Sequence, residues 1–435
     1  MSEWLEPDTS DAPRTALALL PVRHPKMRLL LALALTTMTG AASASPVRMD
    51  LAEAMRRAEQ AAPALGPKRA AVQASRELGR AADQKLSVPP RVEIEVGPRF
   101  RSDPSRVGVD ATLGLWQDLP LGGLGASRRR WASAAGSEAA ARLGVTQHDV
   151  RAEAALAWID VRLAQELGRI RRESLEHALS IAKLAGARVR AGSVPPSEEA
   201  TAKALVGRAR TDVLDAEGRR FVAETALGHL TGTRGSSIEV VGPLDLPDQR
   251  LTLPPLLART RGGQPDVLAA DAAAARGERA VEMTRAHGKP SLSIGPSVTR
   301  EATGDWLVLA RASFPLPLVS PAQVDTARAR AEAAVQRAEA LQVRKAVERE
   351  LDLALHERQH AREVRDALRE GVIGPAREAL RQSLAQYEAG SVDTASVLAA
   401  RRELLAAEER WAEAAADVRR ADIRLMRLLG AKGPR

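Results

Sequence analysis

Two periodicities alternate along this chain. From about 124 to 190, and again from about 321 to 388, Ala, Leu, Glu, Gln and Arg dominate with helical spacing. These are good helix formers. At about 1.5 Å per residue, each stretch predicts a rod of roughly 100 Å. Shorter helical patterns flank them, at about 49–60, 63–86 and 196–230, and again at about 253–261, 265–288 and 393–429. Between the second short helix and the long one, the period drops to two. Val92, Ile94 and Val96 alternate with Arg91, Glu93 and Glu95, over 91–98. Val107, Val109, Ala111, Leu113 and Leu115 alternate with Gly108, Asp110, Thr112 and Gly114, over 107–115. Later, Leu292 and Ile294 alternate within 291–295. In 306–314, Trp306, Val308, Ala310, Ala312 and Phe314 oppose Arg311 and Ser313, with Leu307 and Leu309 interrupting the polar side. This alternation predicts four strands, each with one apolar and one polar face.

The same order of elements occurs twice. Leu51 aligns with Leu253 and Pro63 with Pro265, Pro90 with Pro290, Pro120 with Pro317, Gly192-Ser193-Val194 with Gly390-Ser391-Val392, and Gly232 with Gly430. The offset stays near 200 residues throughout, which predicts a tandem duplication. The expected boundaries are a first repeat at 45–232, a linker at 233–252, a second repeat at 253–430 and a tail at 431–435. The glycines at 192 and 390 mark the far reversal of each long hairpin, and Pro195 and Pro196 start the first return helix. The repeats differ at one place: Gly374-Pro375, with Gly371 just before, should kink or break the second long helix.

Composition sharpens the architecture. Three Phe, one Tyr and six Trp in 435 residues give little bulk for a thick core. Ala-rich helices instead pack closely along narrow seams. The expected fold is therefore mainly α with short β segments, built from long coiled-coil hairpins. Residues 27–44 read as a signal peptide: Arg28, an apolar run from Leu29 to Leu35, then Ala42-Ser43-Ala44 before the cut. Residues 1–26 read as a disordered or non-native extension. No later run of some 18 apolar residues exists, so any membrane crossing must use strands. Open sheet edges do not survive in lipid, and four strands cannot enclose water alone, so a membrane role demands several copies sharing one barrel. Pro120, Gly122 and Gly123, and Pro315 and Pro317 in the second repeat, are the expected strand-to-helix corners.

At this level the chain resembles the TolC-like outer membrane efflux protein family, with the heavy-metal efflux branch foremost. Leu51-x-x-Ala54 with Pro63, the Pro120 and Pro315/Pro317 corners, Tyr387-Glu388-Ala389-Gly390 and Leu429-Gly430 carry the likeness over residues 48–430. The resemblance implies a homotrimer whose four strands per subunit share one transmembrane β-barrel in outer membrane lipid, above a periplasmic helical tunnel. It implies that Gly192, Ser193, Val194, Gly390, Ser391 and Val392 form the periplasmic tip and dock a periplasmic adaptor protein, which links to an inner-membrane pump of the RND type. It implies passive passage of metal ions or small molecules. Some members carry acids just after the second tip. Here that stretch reads Ser396-Val397-Leu398-Ala399, leaving Asp393 and Ser396 as candidates for the aperture lining. The competing reading is a periplasmic coiled-coil scaffold or adaptor.

Other chemistries find little support. The net charge of +9 is spread over helices that also carry acids, with no basic patch interleaved with aromatics, so no nucleic-acid partner is expected. The chain has no Cys, which removes thiolate chemistry. His356-Glu357-Arg358-Gln359-His360 spells HExxH, but a zinc hydrolase also needs a third ligand and a cleft. Inside a long charged helix this motif reads as a solvated face. No catalytic residue, cofactor or metal site is expected.

Overall fold

The computed structural model describes residues 47–84, 88–100, 107–235, 237–245, 251–316 and 322–430. The expected signal peptide, the 1–26 extension, Pro317 and the 431–435 tail lie outside the described residues. The first repeat contains β1 (Val47–Met49), α1 (Leu51–Ala61), α2 (Leu65–Ala82), β2 (Arg91–Phe100), β3 (Val107–Pro120), α3 (Leu124–Arg190) and α4 (Pro196–Thr231). Strand β4 (Ile238–Val240) follows. The second repeat contains α5 (Leu253–Gly263), α6 (Pro265–His287), β5 (Ser291–Arg300), β6 (Trp306–Ser313), α7 (Gln323–Ala367), α8 (Gly374–Glu388) and α9 (Thr394–Leu428).

Local chemistry sets the ends of these elements. Asp50 caps α1 by accepting from the Glu53 N–H at 2.7 Å. Pro196 opens α4, where its missing N–H costs nothing, and Glu198 and Glu199 complement the helix dipole in the first turn. The 67-residue α3 begins at Gly123, whose φ of 68° suits glycine. Its counterpart is split. Leu368–Ile373 forms a π-helical turn between α7 and α8. Pro375 cannot donate to the carbonyl four residues back, and the widened turn absorbs the mismatch, leaving Pro375 in the first turn of α8. The expected break is therefore a bulge, after which the helix continues.

Four strands form one antiparallel sheet in the order β2-β3-β5-β6. The strand β5 runs five residues beyond its expected end, through Pro296, and β3 extends to Pro120, which pairs with Ser291. Two strands were not expected from the sequence. The pair β1 and β4 is parallel, Val47 opposite Ile238 and Met49 opposite Val240, so the stretch read as a linker also carries a strand. No helix among the described residues is long and apolar enough to cross a membrane.

The main core lies where the two repeats meet. Met49, Leu51 and Met55 from the N-terminal end, Trp158 and Ile159 of α3, Leu227 of α4, Ile238 of β4 and Ala412, Ala415 and Ile423 of α9 pack together. Trp158 is 1% exposed and donates its indole N–H to the Met49 carbonyl at 3.0 Å. A second cluster at the tips joins Ile181, Ala185, Ala202, Leu380, Tyr387 and Val397. Small alanines recur in these seams, as close helix packing requires.

Candidate channel wall and helix tips

The strand register sorts side chains onto two faces. Val92 lies opposite Leu115, Ile94 opposite Leu113, and Phe100 opposite Val107. Leu113 in turn meets Val298, which meets Val308. This face is continuous, apolar and exposed, with Ile94 at 70% and Val308 at 69%. A contiguous apolar surface of this kind marks a membrane or interface. Phe100 and Trp306 stand on it at the loop end, and the Arg300 guanidinium lies 5.6 Å from the Trp306 ring. Trp116, by contrast, sits opposite Arg91 on the polar face. Period two decides this: Trp116 follows Leu115 and must point the other way.

The polar face is cross-linked. Arg99 donates to Asp110 at 2.8 Å and to Glu301 at 3.2 Å, while Asp110 accepts from the Ala302 N–H at 2.7 Å. Thr112 and Thr299 share a hydrogen bond of 2.9 Å. Arg91 reaches Asp118 at 3.2 Å, and Ser293 also donates to that carboxylate. Leu307 and Leu309 lie on this side, in register with Thr299 and Ser297. An apolar exterior and a polar, charge-bearing interior are what a water-filled barrel needs.

The corners have a steric logic. A Cβ on Gly122 would meet the Ala286 carbonyl oxygen at 2.5 Å and the Lys289 side chain at 2.9 Å. The chain passes too close to the end of α6 for any side chain there. Pro120 closes β3, and Gly123 turns into α3. Pro315 is exposed just after β6.

Both tips use one turn. Gly192 and Gly390 have φ of 68° and 79°. The Ser193 N–H donates to Arg188 O at 2.9 Å, and the Ser391 N–H donates to Gln386 O at 3.0 Å. These are the closing bonds of a helix end with a left-handed glycine. Val194 and Val392 are half-buried and the other tip residues are exposed, Val392 packing on the tip cluster.

The tips are also fastened to each other. Arg188 of α3 donates to the Tyr387 carbonyl at 3.1 Å and lies 4.7 Å from that ring's centre. Thr394 Oγ1 is 2.7 Å from Glu198 Oε2 and 3.2 Å from Tyr387 Oη. A hydroxyl has one proton, so Thr394 donates to the carboxylate and the phenol donates to Thr394. Sequence reasoning missed Arg188 and Glu198. The signal was the only tyrosine of the chain, three residues before a turn glycine.

Asp393 caps α9, accepting from the Ser396 N–H at 3.0 Å and the Ser396 hydroxyl at 2.8 Å. Those bonds hold its pKa below the usual aspartate value. Asp393 and Ser396 are both exposed. In HExxH, His356 and His360 are exposed, and Glu357 is engaged with Arg424. Among the described residues no group of three or more His, Asp or Glu is arranged to hold a metal ion.

Comparison with known proteins agrees with this geometry. The family model described as Outer membrane efflux protein matches residues 54–233 and 256–431. The cobalt-zinc-cadmium resistance protein CzcC of Cupriavidus metallidurans is 28% identical over 315 residues, covering 72% of this chain and 75% of that protein. The solved structure of CusC superposes with a TM-score of 0.70 at 17% identity, covering 88% of this chain and 92% of that one. A membrane protein from Pseudomonas aeruginosa gives 0.71 at 20% identity, covering 87% and 92%. The outer-membrane channel OprN gives 0.69 at 22%, covering 88% and 90%.

Proposed function

The chain belongs to the outer membrane efflux protein family, and we propose that three copies of it close a single twelve-stranded barrel continuous with a periplasmic helical tunnel. Each copy is the outer membrane channel component of a tripartite efflux system, with its helices in the periplasm and partners in an adaptor and an inner-membrane pump. It conducts and does not catalyse. The four-stranded sheet with an exposed apolar face carries the reading of several copies per barrel. One copy leaves both outer strands, β2 and β6, unpaired along one side. Lipid offers no partner for those backbone groups, so neighbouring copies must supply them.

The finer assignments rest on the same frame. The turns at Gly192–Val194 and Gly390–Val392 dock the adaptor, and Asp393 and Ser396, both exposed just past the second turn, line the aperture. The pump is of the RND type. The cargo is a metal cation, a reading supported by the relative named for cobalt, zinc and cadmium resistance. Outer membranes from cells expressing the chain test the assembly: a heat-modifiable, detergent-stable trimer is expected, and a periplasmic monomer would refute it. Deletion tests the cargo. Loss of cobalt, zinc or cadmium tolerance, restored by the gene, is expected, whereas unchanged metal tolerance with lost tolerance of organic compounds would overturn the metal assignment.

A further inference from the structure

Three charges on the polar face of the sheet have no partner among the described residues. Glu93 and Glu95 on β2 and Arg311 on β6 make no hydrogen bond or ion pair with any described residue. Their in-register neighbours explain why. Glu93 faces Gly114, Glu95 faces Thr112 and Arg311 faces Gly295, which are small residues carrying no charge. Other ionisable groups on this face, Arg91, Arg99, Asp110, Asp118 and Glu301, are paired within the chain. Among the described residues, the unpaired charges of this face therefore stand on the two outer strands, with carboxylates on one and a guanidinium on the other.

Their heights match. Arg311 stands two residues above the end of β6 at Ser313, and Glu93 and Glu95 stand two and four residues above the start of β2 at Arg91. Both of these strand ends are the helix-side ends. Strands in a barrel tilt by roughly 35–45°, which moves the register partner by about one residue relative to a residue at equal height. Face parity then permits Glu95 as the direct partner, with Glu93 diagonal and within reach of a long side chain.

We propose that Arg311 of one copy pairs with Glu95, flanked by Glu93, of the next copy, forming the polar clasp at each seam of the barrel. The proposal rests on the shared-barrel reading above and adds the register of the seam. The clasp lies on the lumen side near the periplasmic end of the barrel. It also compensates part of a carboxylate ring that would otherwise surround the conduit.

The chain has no cysteine, so introduced thiols are unambiguous. In outer membranes, the double variant E95C/R311C treated with a short bis-maleimide should give covalent dimers and trimers, and each single variant should stay monomeric on denaturing gels. An intact trimer by light scattering with no covalent product from the double variant overturns the clasp and leaves the barrel standing. Absence of any trimer overturns both. Charge reversal supplies a second readout. E95R should lower the temperature at which the trimer dissociates, and adding R311E should recover at least half of that loss. Losses that simply add overturn the pairing.

Discussion

Replacing Trp158 by alanine tests how the two repeats and the N-terminal strand are held together. The ring is buried among residues from α1, α4, β4 and α9, and its N–H bonds to the Met49 carbonyl. Truncating a buried Trp costs about 3–5 kcal/mol through lost burial and the cavity left behind. The lost hydrogen bond adds little, because the Met49 carbonyl still accepts from the Val241 N–H at 3.0 Å. The gap cannot easily be refilled from Gly242, whose φ of 144° resists a side chain. Local opening of the β1–β4 pair should therefore become easier by roughly that amount. At about 1.4 kcal/mol per tenfold, amides of residues 47–49 and 238–241 should exchange with solvent between a hundredfold and a few thousandfold faster. Hydrogen exchange read by mass spectrometry resolves these peptides. Exchange there within about threefold of wild type would refute the assignment of Trp158 as the joint. The tip peptides around 188 and 390 should be unaffected, since they pack in a separate cluster.

Further outcomes follow from other sites. Gly122→Ala should cost about 1–3 kcal/mol, because its Cβ meets a backbone oxygen, whereas Gly97→Ala, with open space around it, should be close to neutral; trimer melting in detergent compares them. Tyr387→Phe should lose only the bond to Thr394, about 1 kcal/mol, whereas Tyr387→Ala should loosen the tips and speed tryptic cleavage after Arg188 and Arg190. Asp393→Asn should keep the cap of α9, and Asp393→Ala should fray its first turn, seen as faster exchange at Ser396. Because the Asp393 pKa is depressed, its contribution is present above the usual aspartate range and fades as pH falls through the lowered value, a dependence the Asn variant should lack. Burial, then the nearby Arg151, lowers the His148 pKa, so this site favours the folded state above the ordinary histidine range and loses that preference as pH falls through it; His148→Gln should flatten this part of the melting profile.

The legible parts of this chain were those with local causes. The helix α3 could be read to its ends because Gly123 and Gly192 bracket a proline-free run of helix formers. The faces of β2 and β3 followed from period two alone. What escaped depends on distant partners. Gly295-Pro296 reads as the end of a strand, yet β5 continues because β3 and β6 pair along both sides of it. The tip fastening joins Arg188 to Tyr387 and Glu198 to Thr394, pairs separated by nearly two hundred residues, and no pattern within either segment announces them. Three-residue strands such as β1 and β4 are too short to show a period at all.

The pairing of β1 with β4 has a consequence for assembly. Val47 must wait for Ile238, so β1 has no seat until the whole first repeat and part of the segment after it have been made. Closing a loop of that length costs about 5 kcal/mol in chain entropy, more than a three-residue ladder can offset unaided. The pairing therefore has to form together with the core around Trp158, late and as a unit.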